Sequence, residues 1–199
     1  MQETPRRQQI EDAASALFRE RGYAATSVRD IAQALNLQGG SLYAHMASKE
    51  EILWSIVTRA ADRFNAEVAP LAGATTSPPQ RLRDMIRGHV AVVTSSQKDA
   101  AVFLHEWRFL SAERREQMAA RRDSYEALFR SAIADGVHAG YFQPVDTKLT
   151  AMAILSALNG IATWYRPDGI LSADDIAANF ADLFINALRE QHFMSRTIT

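Results

Sequence analysis

The segment AAVFLHEWRFLSAERREQMAARRDSYEALFRSAIADGVHAGYFQPVD, residues 100–146, sets bulky apolar side chains beside ionisable ones. Phe103, Leu104, Trp107, Phe109 and Leu110 form an apolar wall, with His105, Glu106 and Arg108 embedded in it. Large apolar walls carrying a few polar groups are what a small-molecule cavity requires. Asn159, Trp164, Tyr165 and Arg166 add a carboxamide, two aromatics and a cation from a later apolar helix. Arg114, Arg115, Arg121 and Arg122 add positive charge between them. A greasy ligand with an anionic head fits this chemistry. An acyl-CoA would send its chain into the cavity and offer its phosphates to the arginines. A plainer reading stands beside it. Arg108 can pair with Glu106, Arg166 can cap a helix C-terminus, and the arginine-rich helix can be a solvated face balanced by Glu113, Glu116 and Asp123. His105 on an apolar helix can be a hydrogen-bonded core residue.

A second set of residues has the types that contact DNA. Thr26 and Ser27 precede a short apolar repeat, where a helix N-terminus and a hydroxyl can hold a phosphate oxygen. Arg29, one turn later, can add charge. Gln38, Gly39, Gly40, Ser41, Tyr43 and His45 lie on the next short helix, with Lys49 just beyond. Glutamine reads adenine edges, serine and tyrosine bond bases or phosphates, and the glycines allow close backbone approach. Lys49 is placed for a phosphate. Charge alone decides nothing here. Residues 1–60 balance Arg6, Arg7, Arg19, Arg21, Arg29, Lys49 and Arg59 against Glu3, Glu11, Asp12, Glu20, Asp30, Glu50 and Glu51. No acidic residue falls between Ile31 and Lys49.

The elements that must position these residues are helices. Ile10, Ala13, Ala14, Leu17 and Phe18 repeat at helical spacing up to Gly22, and Val28, Ile31, Ala32 and Leu35 repeat it in a shorter helix. Ser27 with Asp30 and Ser48 with Glu51 have capping-box spacing. Asn36 to Gln38 reads as a tight turn before the helix around 39–45. A long helix opens at Ser48, with Ile52, Leu53, Ile56, Val57, Ala60, Ala61 and Phe64 inward. The loop AGATTSPP, Ala72 to Pro79, leads to helices expected over about 80–95, 98–110, 111–140 and 146–166. Pro167, Asp168 and Gly169 form a turn, and Ser172 with Asp175 caps a last helix to about Gln191. The fold class is all-α, with about nine helices. An N-terminal helix-turn-helix domain, residues 1–50, precedes an effector-binding and dimerisation domain, residues 51–199.

Composition narrows the function. The chain has 199 residues, 47% of them hydrophobic, and a net charge of −1. It lacks cysteine, which removes disulfides, thiolate metal sites and a cysteine nucleophile. No Gly-x-Ser-x-Gly elbow occurs, and His45, His89, His105, His138 and His192 show no metal-ligand spacing. An enzyme is therefore not expected, nor is a cofactor or metal. The stretch Leu149 to Tyr165 is interrupted by Thr150, Ser156, Asn159 and Thr163. It falls short of the roughly 18–20 apolar residues of a membrane span. A cytoplasmic protein without a membrane partner is expected.

The stretch Ile10 to Leu53 resembles the DNA-binding domain of the TetR family over its whole length. Phe18, Gly22, Tyr23, Thr26, Ser27, Ile31, Ala32, Gly40, Ser41, Leu42, Tyr43, His45, Lys49, Glu50 and Leu53 match the family pattern in order. Gly39, Ala44 and Met46 depart from the residues common there. The resemblance implies a repressor that binds two-fold operator DNA as a homodimer, its last two helices forming a four-helix bundle with the partner. The small residues Ala151, Ala153, Ser156, Ala157, Gly160 and Ala162 agree, as does the apolar stripe Ile176, Ala177, Phe180, Ala181, Leu183, Phe184, Ala187 and Leu188. A purely intramolecular core would use the same stripe. FLHEWRFLSAERREQMAARRDSYEALF and ALNGIATWYRPDGILSADDIAANFADLF are similar to a TetR subgroup containing the FadR-, PaaR- and KstR-type repressors. That similarity implies an acyl-CoA effector from fatty-acid, phenylacetate or steroid catabolism. The alternative within the same family is a regulator of drug efflux that binds aromatic or cationic compounds; it needs acidic groups in the pocket, and Glu106 is the only obvious buried candidate, which counts against it.

Overall fold

The computed structural model describes residues 5–37 and 46–189. Every regular element among them is helical: α1 (Pro5–Arg21), α2 (Val28–Ala34), α3 (Lys49–Ala72), α4 (Pro78–Ser95), α5 (Gln97–His105), a 3₁₀ turn (Trp107–Phe109), α6 (Ala112–His138), α7 (Thr147–Trp164) and α8 (Ala173–Leu188). The helix expected around 39–45, which would complete the set, lies outside the described residues.

Local chemistry explains the ends. Ile10, Ala14 and Phe18 recur every four residues and are buried, so α1 offers one apolar edge. It stops at Gly22, whose φ of +82° only glycine adopts without strain, with its N–H donated to the Phe18 carbonyl. At α2 the Ser27 hydroxyl accepts from the Asp30 N–H while the Asp30 carboxylate accepts from the Ser27 N–H. Asn36 turns the chain after α2 at φ 54°. At α3 the expected box is only half formed. Ser48 accepts from the Glu51 N–H, but the Glu51 carboxylate takes the Ala47 N–H instead of that of Ser48.

α3 is the spine. At 1.5 Å per residue its 24 residues span about 36 Å, from the N-terminal helices into the body. Its inner face packs against α1, α4, α5 and α6. One continuous core results, running from Ile10, Phe18, Ile31 and Met46 through α3 to Phe129, Ile154, Ile161 and Ile185. α8 packs on α4, where Arg83 pairs with Asp182 at 2.7 Å. Its last carbonyls are capped by Gln143, which donates its backbone N–H to Leu188 and its side chain to Ala187.

The helix expected over 98–110 is broken. α5 ends at His105, and the chain tightens into i→i+3 hydrogen bonds from Phe109 to Glu106 and from Leu110 to Trp107. Tertiary contacts decide this break. Glu106 turns to accept the Tyr23 N–H at 3.2 Å, and Phe109 stacks on the Tyr23 ring at 5.5 Å.

Candidate ligand cavity and DNA-reading head

A cavity of about 840 Å³ opens between α3, α4, α5, α6 and α7. Its inner wall is aromatic. Phe64, His89, Phe103 and Tyr125 lie with neighbouring ring centroids 4.8–5.9 Å apart, and Phe129 backs His89 at 6.3 Å. Leu104, Met152 and Leu155 add aliphatic surface. Arg121, Arg122, Arg130 and Lys148 supply cations, against Asp123 and Glu126. Arg121 is paired with Asp62, and Arg130 with Glu126 at 3.6 Å. Among the described residues, Arg122 and Lys148 make no ion pair. The Arg122 guanidinium sits 5.2 Å from the centroids of both Phe103 and Trp107. Burial lowers its pKa and nearby Asp123 opposes that shift, yet the group stays charged at neutral pH.

The polar groups of the inner wall are few. His89 is 2% exposed. Its Nδ1 lies 2.9 Å from the Tyr125 hydroxyl, and its Nε2 has no hydrogen-bond partner among the described residues. Burial pushes its pKa down to about 3, only partly offset by the Asn159 side chain beside it. The ring is neutral at physiological pH. One carboxylate oxygen of Glu126 is also buried and accepts no hydrogen bond.

Of the residues expected from the sequence to hold an effector, Phe103, Leu104, Arg121, Arg122 and Asn159 line this cavity. Trp107 stands behind Arg122. His105 and Arg108 face solvent, and Phe109 packs on the N-terminal domain while 41% exposed. Trp164 is 47% exposed at the far end of α7. The Tyr165 carbonyl there accepts from Gln97 at 2.7 Å, and Arg166 pairs with Asp168 at the surface. Glu106 is committed to Tyr23 rather than to the cavity. Sequence reasoning passed over His89, Tyr125, Glu126 and Phe64 as cavity residues. The signal was present for His89. It occupies a core position of the stripe Leu82, Met85, Ile86, His89, Val90 and Val93.

In the N-terminal domain, Thr26 is 1% exposed and donates to the Gly22 carbonyl at 2.9 Å. Ser27 and Arg29 are exposed at the start of α2. The Ser27 hydroxyl and N–H hold the Asp30 carboxyl below the usual carboxylate range. Lys49 directs its ammonium to the carbonyls of Tyr23 and Thr26, each at 2.8 Å, and sits 4.1 Å from the Tyr23 ring centroid. Gln38, Gly39, Gly40, Ser41, Tyr43 and His45 lie outside the described residues.

Three polar junctions tie this domain to the cavity-forming helices. Arg59 of α3 donates to Glu11 of α1 at 2.5 Å and to Asp99 of α5 at 2.9 and 3.1 Å, while Ser15 donates to Asp99 at 2.7 Å. Glu106 holds the Tyr23 N–H. Glu50 accepts from the Ser111 N–H at 3.0 Å, which with Arg114 lowers the Glu50 pKa. α5 thus carries Phe103 on the cavity wall and Asp99 on the junction with α1.

Among the described residues no helix is long and apolar enough to cross a membrane, and no three His, Asp or Glu side chains gather as a metal site.

Comparison with known proteins accounts for this architecture. Residues 10–56 match the model for bacterial regulatory proteins of the tetR family, and residues 75–188 match the tetracyclin repressor-like C-terminal domain. The HTH-type transcriptional repressor KstR2 of Mycobacterium tuberculosis is 27% identical over 188 residues, 94% of each chain. The structure of that ketosteroid transcriptional regulator superposes with a TM-score of 0.89, covering 96% of this chain and 98% of the other. PfmR of Thermus thermophilus is 36% identical with a TM-score of 0.83, covering 91% of this chain and 99% of its own. AibR, solved in complex with isovaleryl coenzyme A and operator DNA, is 30% identical with a TM-score of 0.81, covering 89% and 97%. The chain therefore belongs to the TetR family of transcriptional regulators, which are not enzymes, and its likeness extends to acyl-CoA-binding members.

Proposed function

We propose that this chain is a homodimeric repressor, residues 1–50 reading operator DNA and residues 51–199 dimerising and binding a small effector that releases it. The effector is an acyl-CoA thioester. The observation that carries this reading is the pairing of an aromatic cavity of about 840 Å³ with cations at its wall, Arg122 and Lys148 among them. The cavity size lies within the range of ligand pockets. The acyl chain would lie against Phe64, Phe103 and Leu155, and the CoA phosphates against the cations. AibR, which binds isovaleryl coenzyme A, supports the choice.

Dimerisation is supported by apolar side chains left outside: Leu149 and Met152 on α7, Leu183 on α8, and Ile170 and Leu171 between them. Exposed Ala153 and Ser156 on the same side of α7 would let a partner helix approach closely. DNA contact is assigned to Ser27 and Arg29 at the start of α2 and to Gln38, Gly39, Gly40, Ser41, Tyr43 and His45. Thr26 and Lys49 serve that surface chiefly by fixing its shape. Release requires that the ligand prefer one spacing of the two reading heads. α3 and α5 touch both the cavity and the N-terminal domain, so a ligand that displaces Phe103 moves Asp99 and its partners.

Thermal unfolding against a panel of acyl-CoAs, free acids and free CoA tests the reading. A thioester at 100 times its dissociation constant adds about 2.7 kcal/mol of stability, and the same thioester must weaken operator binding. A folded dimer that no thioester stabilises would remove the acyl-CoA effector. One observation favours a second reading, a drug-efflux regulator that binds aromatic cations. Glu126 lies on the cavity wall, and its buried oxygen accepts no hydrogen bond and has Arg130 only at 3.6 Å, so a ligand cation would compete for it. Stabilisation by an aromatic cation and by no thioester would establish that reading instead.

A further inference from the structure

The inner wall of the cavity carries, at His89, a polar atom that a hydrocarbon cannot satisfy. His89 is 2% exposed among Phe64, Tyr125 and Phe129, yet its Nε2 has no hydrogen-bond partner among the described residues. Its Nδ1 is occupied by the Tyr125 hydroxyl at 2.9 Å, which fixes the ring orientation. The cavity cations lie farther out, Lys148 being exposed and Arg121 and Arg122 half-buried. An effector whose anionic head meets those cations puts its distal acyl portion against His89. A methylene chain there would leave Nε2 buried without a bond, and an unsatisfied buried polar group is costly.

We propose that His89, oriented by Tyr125 and flanked by Asn159, reads an oxygen on the acyl portion of the effector, so that the ligand class is a hydroxy- or keto-acyl thioester rather than a plain saturated one. This rests on the acyl-CoA reading above. The neutral ring suits an uncharged oxygen. If the Tyr125 hydroxyl donates to Nδ1, Nε2–H donates to a ketone or a hydroxyl. In the other tautomer Nε2 accepts from a hydroxyl alone. A site that hydrogen-bonds a ligand group rejects the analogue lacking it far better than an apolar pocket rejects one with a group too many.

Titration calorimetry of the full-length dimer with three CoA thioesters of one chain length provides the test: saturated, hydroxylated in the distal half, and carrying a ketone there. The hydroxy- or keto-thioester binds at least about tenfold tighter than the saturated one. His89→Phe, which keeps the ring volume, reduces that preference to about twofold or less. His89→Leu serves if the phenylalanine variant does not fold, and the wild-type comparison needs no variant. Equal binding of all three thioesters overturns this proposal and leaves the acyl-CoA reading intact. A preference that survives both substitutions overturns it too, since the oxygen is then read elsewhere. Binding of no thioester overturns both.

Discussion

Replacing Arg59 by alanine tests the junction between the N-terminal domain and the cavity-forming helices. Glu11 is fully buried, Asp99 is 13% exposed and Arg59 is 22% exposed. Burial works against the Arg59 charge, but Asp99, Glu11 and Asp12 more than compensate, so its pKa is raised. Removing the guanidinium leaves the Glu11 carboxylate buried, with only Arg7 at 3.2 Å and the Ser55 hydroxyl at 2.5 Å on one oxygen. Breaking one side of a buried pair costs about 3–5 kcal/mol. The partial exposure of Arg59 and the surviving contacts place this case at the low end, about 3 kcal/mol. For a chain of this size that is a fall in Tm of about 6–12 °C. Thermal unfolding at fixed protein concentration reads it, because dimer stability depends on concentration. The double variant Glu11→Met, Arg59→Met should regain part of the loss, since it removes the stranded Glu11 charge, while Asp99 keeps the Ser15 hydroxyl but no cation. A single-variant loss under about 1 kcal/mol would instead place the cluster with solvated surface pairs.

Two further outcomes follow from the core. The folded-state pKa of His89, about 3, lies below its ordinary 6.5. Its contribution is therefore complete above pH 6.5 and is lost as pH falls toward 3, at up to about 1.4 kcal/mol per pH unit. Denaturant unfolding from pH 7 to 4.5 should show a shallower decline in His89→Phe than in the wild type, and parallel curves would contradict the assignment. At Gly136 a Cβ would lie 2.1 Å from Phe142 Cδ2, and the Phe142 ring is itself buried. Gly136→Ala should cost about 1–3 kcal/mol despite the better helix propensity of alanine. A denaturant midpoint that rises would show that Phe142 moves aside freely.

The helical fold class and most helix ends are legible in the sequence. Caps such as Ser27 with Asp30 and Ser172 with Asp175 are bonds between residues three apart, so local order suffices to read them. The matched residues from Phe18 to Leu53 likewise announced the family in one contiguous stretch. The break after His105 was illegible, because it answers to Tyr23, more than eighty residues away. The cavity was mostly illegible for the same reason. A helical period shows that a residue lies on an apolar face, but the packing of five helices decides which face meets the cavity. Phe103 and Asn159 turn inward, while His105, Arg108 and Arg166 turn to solvent. His89 and Tyr125 meet across thirty-six positions of chain, and Glu11, Arg59 and Asp99 across forty or more. Only tertiary structure brings such groups together, and their bonds then decide which polar atoms are left for a ligand.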